Sequence, residues 1–383
     1  MAAQYFTTSM LLKEKIVSFI SNSCESSILE PCFGRGDLVE FVKEKKPEVS
    51  FDLYEIDSSL PFLDCIKDES NSVEYCDFLS RKIEKFYETI IGNPPYEKTK
   101  KGNLYIDFIE KCVNLLEPNG ELIFIVPSDF LKLTSSRDVL NSMMLRGTFT
   151  HIFHPHKENL FKNATIDIIV FRYCKNSTLE KKVLYNDIPL HIVNSEGLIT
   201  FSSELSSNIG KTKFEDLFNI YVGLVSGREK IFKNDTFGNI TVQNSKERFD
   251  KYIYIKEYPT SQEDLNTYLE ENKEKLISRQ IRKFNKHNWF EWGALRNIKV
   301  MEVHKDKECI YITNITRKEE VAFKGKVGYF GGGLLMLLPK TDCNLDTIVT
   351  FLNTPTFKKN FTYSGRFRIG QSQLAKSYIN NPN

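Results

Sequence analysis

Asn93-Pro94-Pro95-Tyr96 is the tetrapeptide in this chain best suited to chemistry on a planar aromatic amine. Such a nitrogen is a poor nucleophile, because its lone pair is delocalised into the ring. The side-chain oxygen of Asn93 and the rigidly presented carbonyl of Pro94 can each accept one of its hydrogens. Together they favour a pyramidal nitrogen whose lone pair can attack an electrophilic methyl group in line. Pro94 and Pro95 leave the backbone little freedom to lose, and Tyr96 offers a ring face on which a base can stack. The face, rather than the hydroxyl, is the expected contribution of Tyr96. The competing reading is an Asn-Pro turn with an aromatic plug. The tetrapeptide follows an apolar strand candidate, 88–91, and Gly92, so it falls at the carboxyl edge of a sheet, where open α/β folds bind their ligands.

Upstream, Glu30-Pro31-Cys32-Phe33-Gly34-Arg35-Gly36 joins an apolar strand to a helix. Gly34 and Gly36 let a ligand approach the backbone at that turn. The spacing is not GxGxxG, so dinucleotide binding is not favoured. The next strand ends in Tyr54-Glu55-Ile56-Asp57, near the interval of about 20 residues at which an acidic side chain reaches a ribose in such folds. Glu55 can accept from both ribose hydroxyls, whereas its bland reading is a solvated carboxylate at a strand end. Cys76-Asp77-Phe78 closes a third strand with an acceptor for an amino group beside an aromatic face.

The elements that must position these residues alternate. Strand candidates are 27–30, 50–54, 73–76, 88–91, 121–126, 150–153 and 166–173, with amphipathic helices over 37–46 and 104–116. The second helix ends at a Pro118-Asn119-Gly120 turn. Alternation of this kind predicts a doubly wound, mostly parallel α/β sheet, with an antiparallel pair after residue 145. From about 206 the rhythm gives way to polar, aromatic and glycine-punctuated segments. The expected division is therefore a catalytic domain over 1–205, a linker over 202–210, and an α+β domain over 206–383.

Charge follows the same division. Residues 1–205 hold 23 basic and 30 acidic side chains, and 206–383 hold 29 and 20. A basic second part is expected to meet a polyanion. Two segments mix cations with aromatic rings, as phosphate contact and base stacking require. One spans 279–289, with Arg279, Arg282 and Lys283; the other is Tyr363-Ser364-Gly365-Arg366-Phe367-Arg368. Their bland reading is a solvated basic helix face. His151, His154 and His156 form HIFHPH, but alternation along a strand and Pro155 point them apart, so no metal site is expected. Gly331-Gly332-Gly333 reads as a tight turn or close backbone approach. Eight scattered cysteines lack a CxxC pair and fit reduced thiols inside a cell. The absence of a long apolar run or a basic, apolar leader leads to the expectation of a cytoplasmic protein without a membrane segment.

The order of these motifs resembles that of the gamma class of DNA amino-methyltransferases of restriction–modification systems. Gln4-Tyr5-Phe6-Thr7-Thr8, EPCFGRG, YEID, CDF, NPPY and IFIVPSDFL occur in the family's sequence over 1–175. Tyr221–Arg228 and Gly365–Gly370 match more loosely. The resemblance implies a class I, Rossmann-like fold using S-adenosylmethionine. Thr7, Glu55 and Asp77 would contact the methionine carboxylate, ribose and adenine ring, beside Glu30, Pro31, Gly34, Gly36 and Phe78. Asn93, Pro94, Pro95 and Tyr96 would hold the target base, with Phe161 of Leu160-Phe161-Lys162-Asn163-Ala164 packing on it after eversion. It further implies methylation of the adenine N6 amine in double-stranded DNA, target recognition by 206–383 and no metal. A cognate restriction endonuclease would act separately, with no obligate protein partner. Two features depart from the family pattern: Thr8 stands where proline is common, and Arg35 lies beside a site for a cationic cofactor unless it points to solvent. Methylation of RNA adenine or protein glutamine, which shares NPPY, and a nucleic-acid-binding protein on a decayed scaffold are the alternatives. Intact Asn93, Tyr96, Glu55 and Asp77 argue against decay.

Overall fold

The computed structural model describes residues 6–23, 26–99, 102–157, 159–161, 166–176, 181–203, 211–363 and 365–380. The chain divides into two compact units, Met1–Ile209 with Tyr363–Gly365, and Gly210–Thr362 with Arg366–Asn383. Residues 204–210, in the stretch read as a linker, lie outside the described residues.

The first unit contains α1 (Met10–Phe19), β1 (Ile28–Glu30), α2 (Asp37–Lys45), β2 (Phe51–Glu55), β3 (Ser72–Tyr75), β4 (Tyr87–Gly92) and α3 (Leu104–Asn114). There follow β5 (Leu116–Pro127), α4 (Arg137–Arg146), β6 (Thr148–Phe153), β7 (Ile168–Cys174), β8 (Lys182–Tyr185), β9 (Ile188–Ser195) and β10 (Leu198–Ser202). The strands form one sheet in the order β10-β9-β8-β6-β7-β5-β4-β1-β2-β3. β3, β2, β1, β4 and β5 run parallel, while β7 enters antiparallel between β5 and β6. The doubly wound, mostly parallel α/β sheet is therefore present, with β7 reversed inside it and β9 reversed between β8 and β10 near one edge. Strand order reverses between β1 and β4, and a crevice opens outside their carboxyl ends.

Helices cover both faces, which is why β4 and β5 are almost continuously apolar. Successive side chains of a strand point to opposite faces. Leu29, Ile90, Leu122 and Phe124 accordingly pack with Ile109 of α3 and Met143 of α4. Ile28, Ile91, Ile123 and Ile125 pack with Ile16 of α1 and Val39 of α2. The turn expected at Pro118-Asn119-Gly120 occurs inside a longer strand. Leu116 already pairs with Tyr87, the register shifts, and Glu121 pairs with Thr89. Asn119 takes φ 65° there, and a Cβ on Gly120 would stand 2.9 Å from the Tyr87 carbonyl. The edge strands β8 to β10 were not legible, because short polar runs such as Lys182–Tyr185 gain strand character only by pairing.

The second unit comprises β11 (Lys211–Lys213), β12 (Phe218–Val222), β13 (Ile240–Gln243), β14 (Phe249–Tyr252), β15 (Glu308–Thr313), β16 (Ile315–Thr316), β17 (Ala322–Lys326), β18 (Leu334–Pro339), β19 (Thr362–Tyr363), β20 (Arg366–Arg368) and β21 (Tyr378–Asn380). An antiparallel sheet of order β12-β18-β15-β17 is its centre. Trp289, Trp292 and Phe330 pack in one of its cores, and Ile310, Leu337 and Ile348 in another. The three glycines 331–333 lead into β18 through a turn. A Cβ on Gly223 would lie 2.2 Å from the Gly331 carbonyl, so two backbone segments touch there.

Glu121 is fully buried in the first unit. It accepts from the Ser21 and Asn22 amides (3.1 and 3.2 Å), Thr89 Oγ1 (3.1 Å) and Arg172 Nε (2.6 Å). A buried carboxylate stripped of its counter-charge costs about 3–5 kcal/mol. Arg172→Met should therefore lower unfolding stability by about that amount in denaturant titration, and Glu121→Gln in the same background should recover part of the loss.

Candidate active site

The carboxyl ends of β1 to β4 converge on a cleft of about 490 Å³, within the usual size range of small-molecule sites. Phe6 lines it ahead of α1, with Pro31, Cys32 and Gly34 after β1, Glu55 and Ile56 at the end of β2, and Asp77 and Phe78 after β3. Asn93, Pro94, Pro95 and Glu97 follow β4, and Leu104 and Phe108 project from α3.

The glycine turn needs its glycines. Gly34 and Gly36 have φ of 58° and 99°, which L side chains rarely adopt, and a Cβ on Gly36 would meet Ile66 Cδ1 at 2.6 Å. Gly36 caps the start of α2. Glu55 Oε2 accepts from the Gly34 amide at 2.9 Å, and Oε1 from the Asp57 amide at 3.0 Å. One carboxylate thus closes two loops and retains lone pairs for a ligand. Asp77 is exposed and accepts from the Leu79 amide at 3.0 Å. Phe78 stacks on Phe108 with centroids 5.6 Å apart.

Electrostatically the cleft is negative. Glu55, Asp77 and Glu97 line it, and no Lys or Arg is among its described lining residues. Arg35 is held in a fork by Asp37 at 2.8–3.2 Å and lies over the Phe6 ring, so its charge is already matched. Glu30 does not line the cleft. It is 2% exposed, and its Oε2 has no hydrogen-bond partner among the described residues. Burial, with the negative charges of Asp37 and Glu55 nearby, pushes its carboxyl up to about 8.

Around Asn93 the side chains grip one another. Its Nδ2 donates to Thr7 Oγ1 at 3.1 Å, and Tyr96 donates its hydroxyl to Asn93 Oδ1 at 2.6 Å. The Tyr96 hydroxyl also lies 3.2 Å from the Ile125 carbonyl. Sequence reasoning assigned Tyr96 a ring face alone; the structure adds that its hydroxyl orients the asparagine amide. Phe161 meets the Tyr96 ring edge-on at 6.2 Å and is 5% exposed. Lys162, Asn163 and Ala164 of its motif, and Gln4 and Tyr5 of the N-terminal one, lie outside the described residues. Leu60, Leu79, Glu97 and Phe108 also line the cleft without having been singled out. Helical spacing from Leu104 to Phe108 could have identified the last.

In the second unit the basic segment is not a helix but a loop and turn. Arg279 is 5% exposed, and its guanidinium donates to the carbonyls of Leu276, Ser226 and Trp289 at 2.6–2.8 Å. The expectation that Arg279 touches DNA is corrected: its donors are consumed inside the unit. Arg282 is exposed but pairs with Glu291 at 2.5 Å and reaches the Trp292 carbonyl at 2.9 Å. Lys283, Arg366 and Arg368 are exposed. Among the histidines, His154 is 3% exposed, with Nδ1 on the Tyr185 hydroxyl and Nε2 on Asp167. Among the described residues no His, Cys, Asp and Glu group is arranged to hold a metal. No helix of the described residues is long and apolar enough to cross a membrane.

Residues 7–161 match the sequence profile of the Eco57I restriction-modification methylases. The chain is 26% identical over 215 residues to the type II methyltransferase M.AccI of Acinetobacter calcoaceticus, a match covering 49% of this chain and 39% of that protein. It is 33% identical over 141 residues to the modification methylase CviBIII of Paramecium bursaria Chlorella virus NC1A, covering 32% and 37%. The chain thus spans less than half the length of these curated relatives. A solved structure of the type IIL restriction-modification enzyme MmeI in complex with DNA aligns with a TM-score of 0.60 at 9% identity. That alignment covers 95% of this chain and 63% of the other, a likeness of fold.

Two outcomes follow, one for each unit. Glu30 keeps a proton in the folded state that the unfolded chain releases near pH 4.5. Its contribution to stability is therefore full below that pH and is lost as pH rises to about 8. Glu30→Gln should flatten this decline, so that thermal melts show the variant gaining on the parent from pH 5 to 9. Arg279→Ala should lower the melting temperature by several degrees, as loss of buried, charge-assisted hydrogen bonds requires.

Proposed function

We propose that this chain transfers a methyl group from S-adenosylmethionine to the N6 amine of an adenine everted from duplex DNA. The observation that carries the reading is the juxtaposition at one cleft of Asn93-Pro94-Pro95 with a cation-free wall of carboxylates. The cofactor fits that wall, since a sulfonium and an ammonium are favoured beside Glu55, Asp77 and Glu97, whereas a phosphate would be repelled. S-adenosylmethionine supplies an electrophilic methyl group when bound.

This chain's own residues do the rest. Glu55 accepts from the ribose hydroxyls with the lone pairs its two amide bonds leave over. Asp77 accepts from the cofactor's adenine amine, and the bare backbone of Gly34 admits the cofactor close to β1. Thr7 and Tyr96 hold the Asn93 amide from either end, so that its oxygen and the Pro94 carbonyl can take the two amine hydrogens. The Tyr96 ring seats the base, and Phe161, 6.2 Å away, lies within reach of it. Duplex adenine presents its amine inside the base pair, so the base must be swung out, at a cost of a few kcal/mol. The basic second unit is the proposed source of the contacts that offset this cost.

The deciding experiment expresses the chain in a host lacking adenine methylation and maps modified bases across its genome. N6-methyladenine at one short motif is expected; modification of cytosine alone, or of RNA alone, would overturn the assignment. Asn93→Ala should abolish turnover while leaving S-adenosylmethionine binding within a few-fold of the parent. Tyr96→Phe keeps the ring and loses the bond to Asn93, and should slow single turnover about 2- to 12-fold, the equivalent of ~0.5–1.5 kcal/mol.

A further inference from the structure

In the second unit β16 pairs antiparallel with β20, setting Ile315 opposite Arg368 and Thr316 opposite Phe367. Residues directly opposite in such a pair share a face, as do alternate residues along a strand. Phe367 is 4% exposed and belongs to the core beneath. Arg366 and Arg368 therefore stand on the outer face with Ile315, which is 52% exposed. Arg317 and Lys318 follow in the bend after β16, and both are exposed. Of the two acids that follow, Glu319 is exposed and Glu320 is paired with Lys246 at 2.7 Å. Among the described residues no carboxylate forms an ion pair with Arg317, Lys318 or Arg366. β20 is the central strand of the three-stranded sheet β16-β20-β19, and Arg366 and Arg368 stand two residues apart on one face of it, with Arg317 in the bend that follows β16.

We infer that this outer face, centred on Arg317, Arg366 and Arg368, is a contact surface for duplex DNA. The inference rests on the reading of the chain as a DNA-acting enzyme and assigns a place to its polyanion. An arginine fork matches both phosphate oxygens and the guanine edge that duplex DNA presents. With Arg279 buried and Arg282 paired, the 279–289 segment keeps exposed lysines such as Lys283 but fewer open guanidiniums than this face.

The test titrates a duplex containing the methylated motif, and a scrambled one, with the full chain between 50 and 200 mM salt. Binding of S-adenosylmethionine and thermal midpoint are measured alongside. Three phosphate contacts contribute about 2.7 to the log–log salt slope. The parent should thus lose roughly 40-fold more affinity over that range than the triple variant R317Q, R366Q and R368Q. The corresponding Arg→Lys triple should retain the slope but lose discrimination if the forks read base edges. Should the Gln triple fail to fold, R317Q and R366Q singly should each lower the slope by about 0.9. A Gln variant with parental slope, affinity and discrimination overturns this contact surface while leaving the DNA reading intact. A parent that binds S-adenosylmethionine but no duplex, or prefers single-stranded RNA, overturns both.

Discussion

A carboxylate with no solvent exposure has to be compensated, and in the first unit the compensation of Glu121 holds the sheet together. Taking one such ion out of water costs several kcal/mol. Its partners come from the end of α1, from β4 and from β7. Thr89 ties it to β4 and Arg172 to β7, so the reversed strand β7 is locked beside the parallel set. β4 is then fixed beside β5 from Thr89 onward, and its far end delivers Gly92 and Asn93 to the crevice. A slip of one residue would turn Ile90 and Ile91 to the wrong cores.

At that far end the chain uses its polar groups twice. Glu55 stabilises the glycine turn and its own loop through two backbone amides, then still presents oxygen to a ligand. Asn93 is held by Thr7 and Tyr96 rather than left to rotate. Side chains so engaged lose little further freedom when a ligand arrives, which is how a preorganised site lowers the cost of binding. The concentration of carboxylates, with Glu30 kept protonated behind the others, gives the cleft a preference for cations before any specific contact is made.

The second unit shows why a count of basic residues does not locate a surface. Arg279 and Arg282 lie in the most strongly basic stretch, yet one is consumed by three carbonyls and the other by Glu291. A guanidinium has five donors, and where loops leave carbonyls without ladder partners it satisfies them. Arg366 and Arg368 alternate with a buried phenylalanine on a strand, so the same charge is forced outward.

Strand-to-loop junctions were legible from the chain alone. Short, largely apolar runs such as 88–91 and 121–126 read as strands when turn residues bound them, and the turn chemistry after such runs sets Gly34, Glu55, Asp77 and Asn93 at strand ends. The alternation of such runs with helices determined the doubly wound sheet, since local periodicity specifies local structure. Tertiary structure alone decided the extension through β8 to β10, the insertion of β7, and the continuation of β5 back to Leu116. Those depend on hydrogen-bond partners far away in sequence. It alone decided that the Tyr96 hydroxyl meets Asn93, that Glu97 and Phe108 join the cleft, and that Arg279 is structural. A side chain's type states which bonds it can make, and only the packed chain determines which partner is within 3 Å.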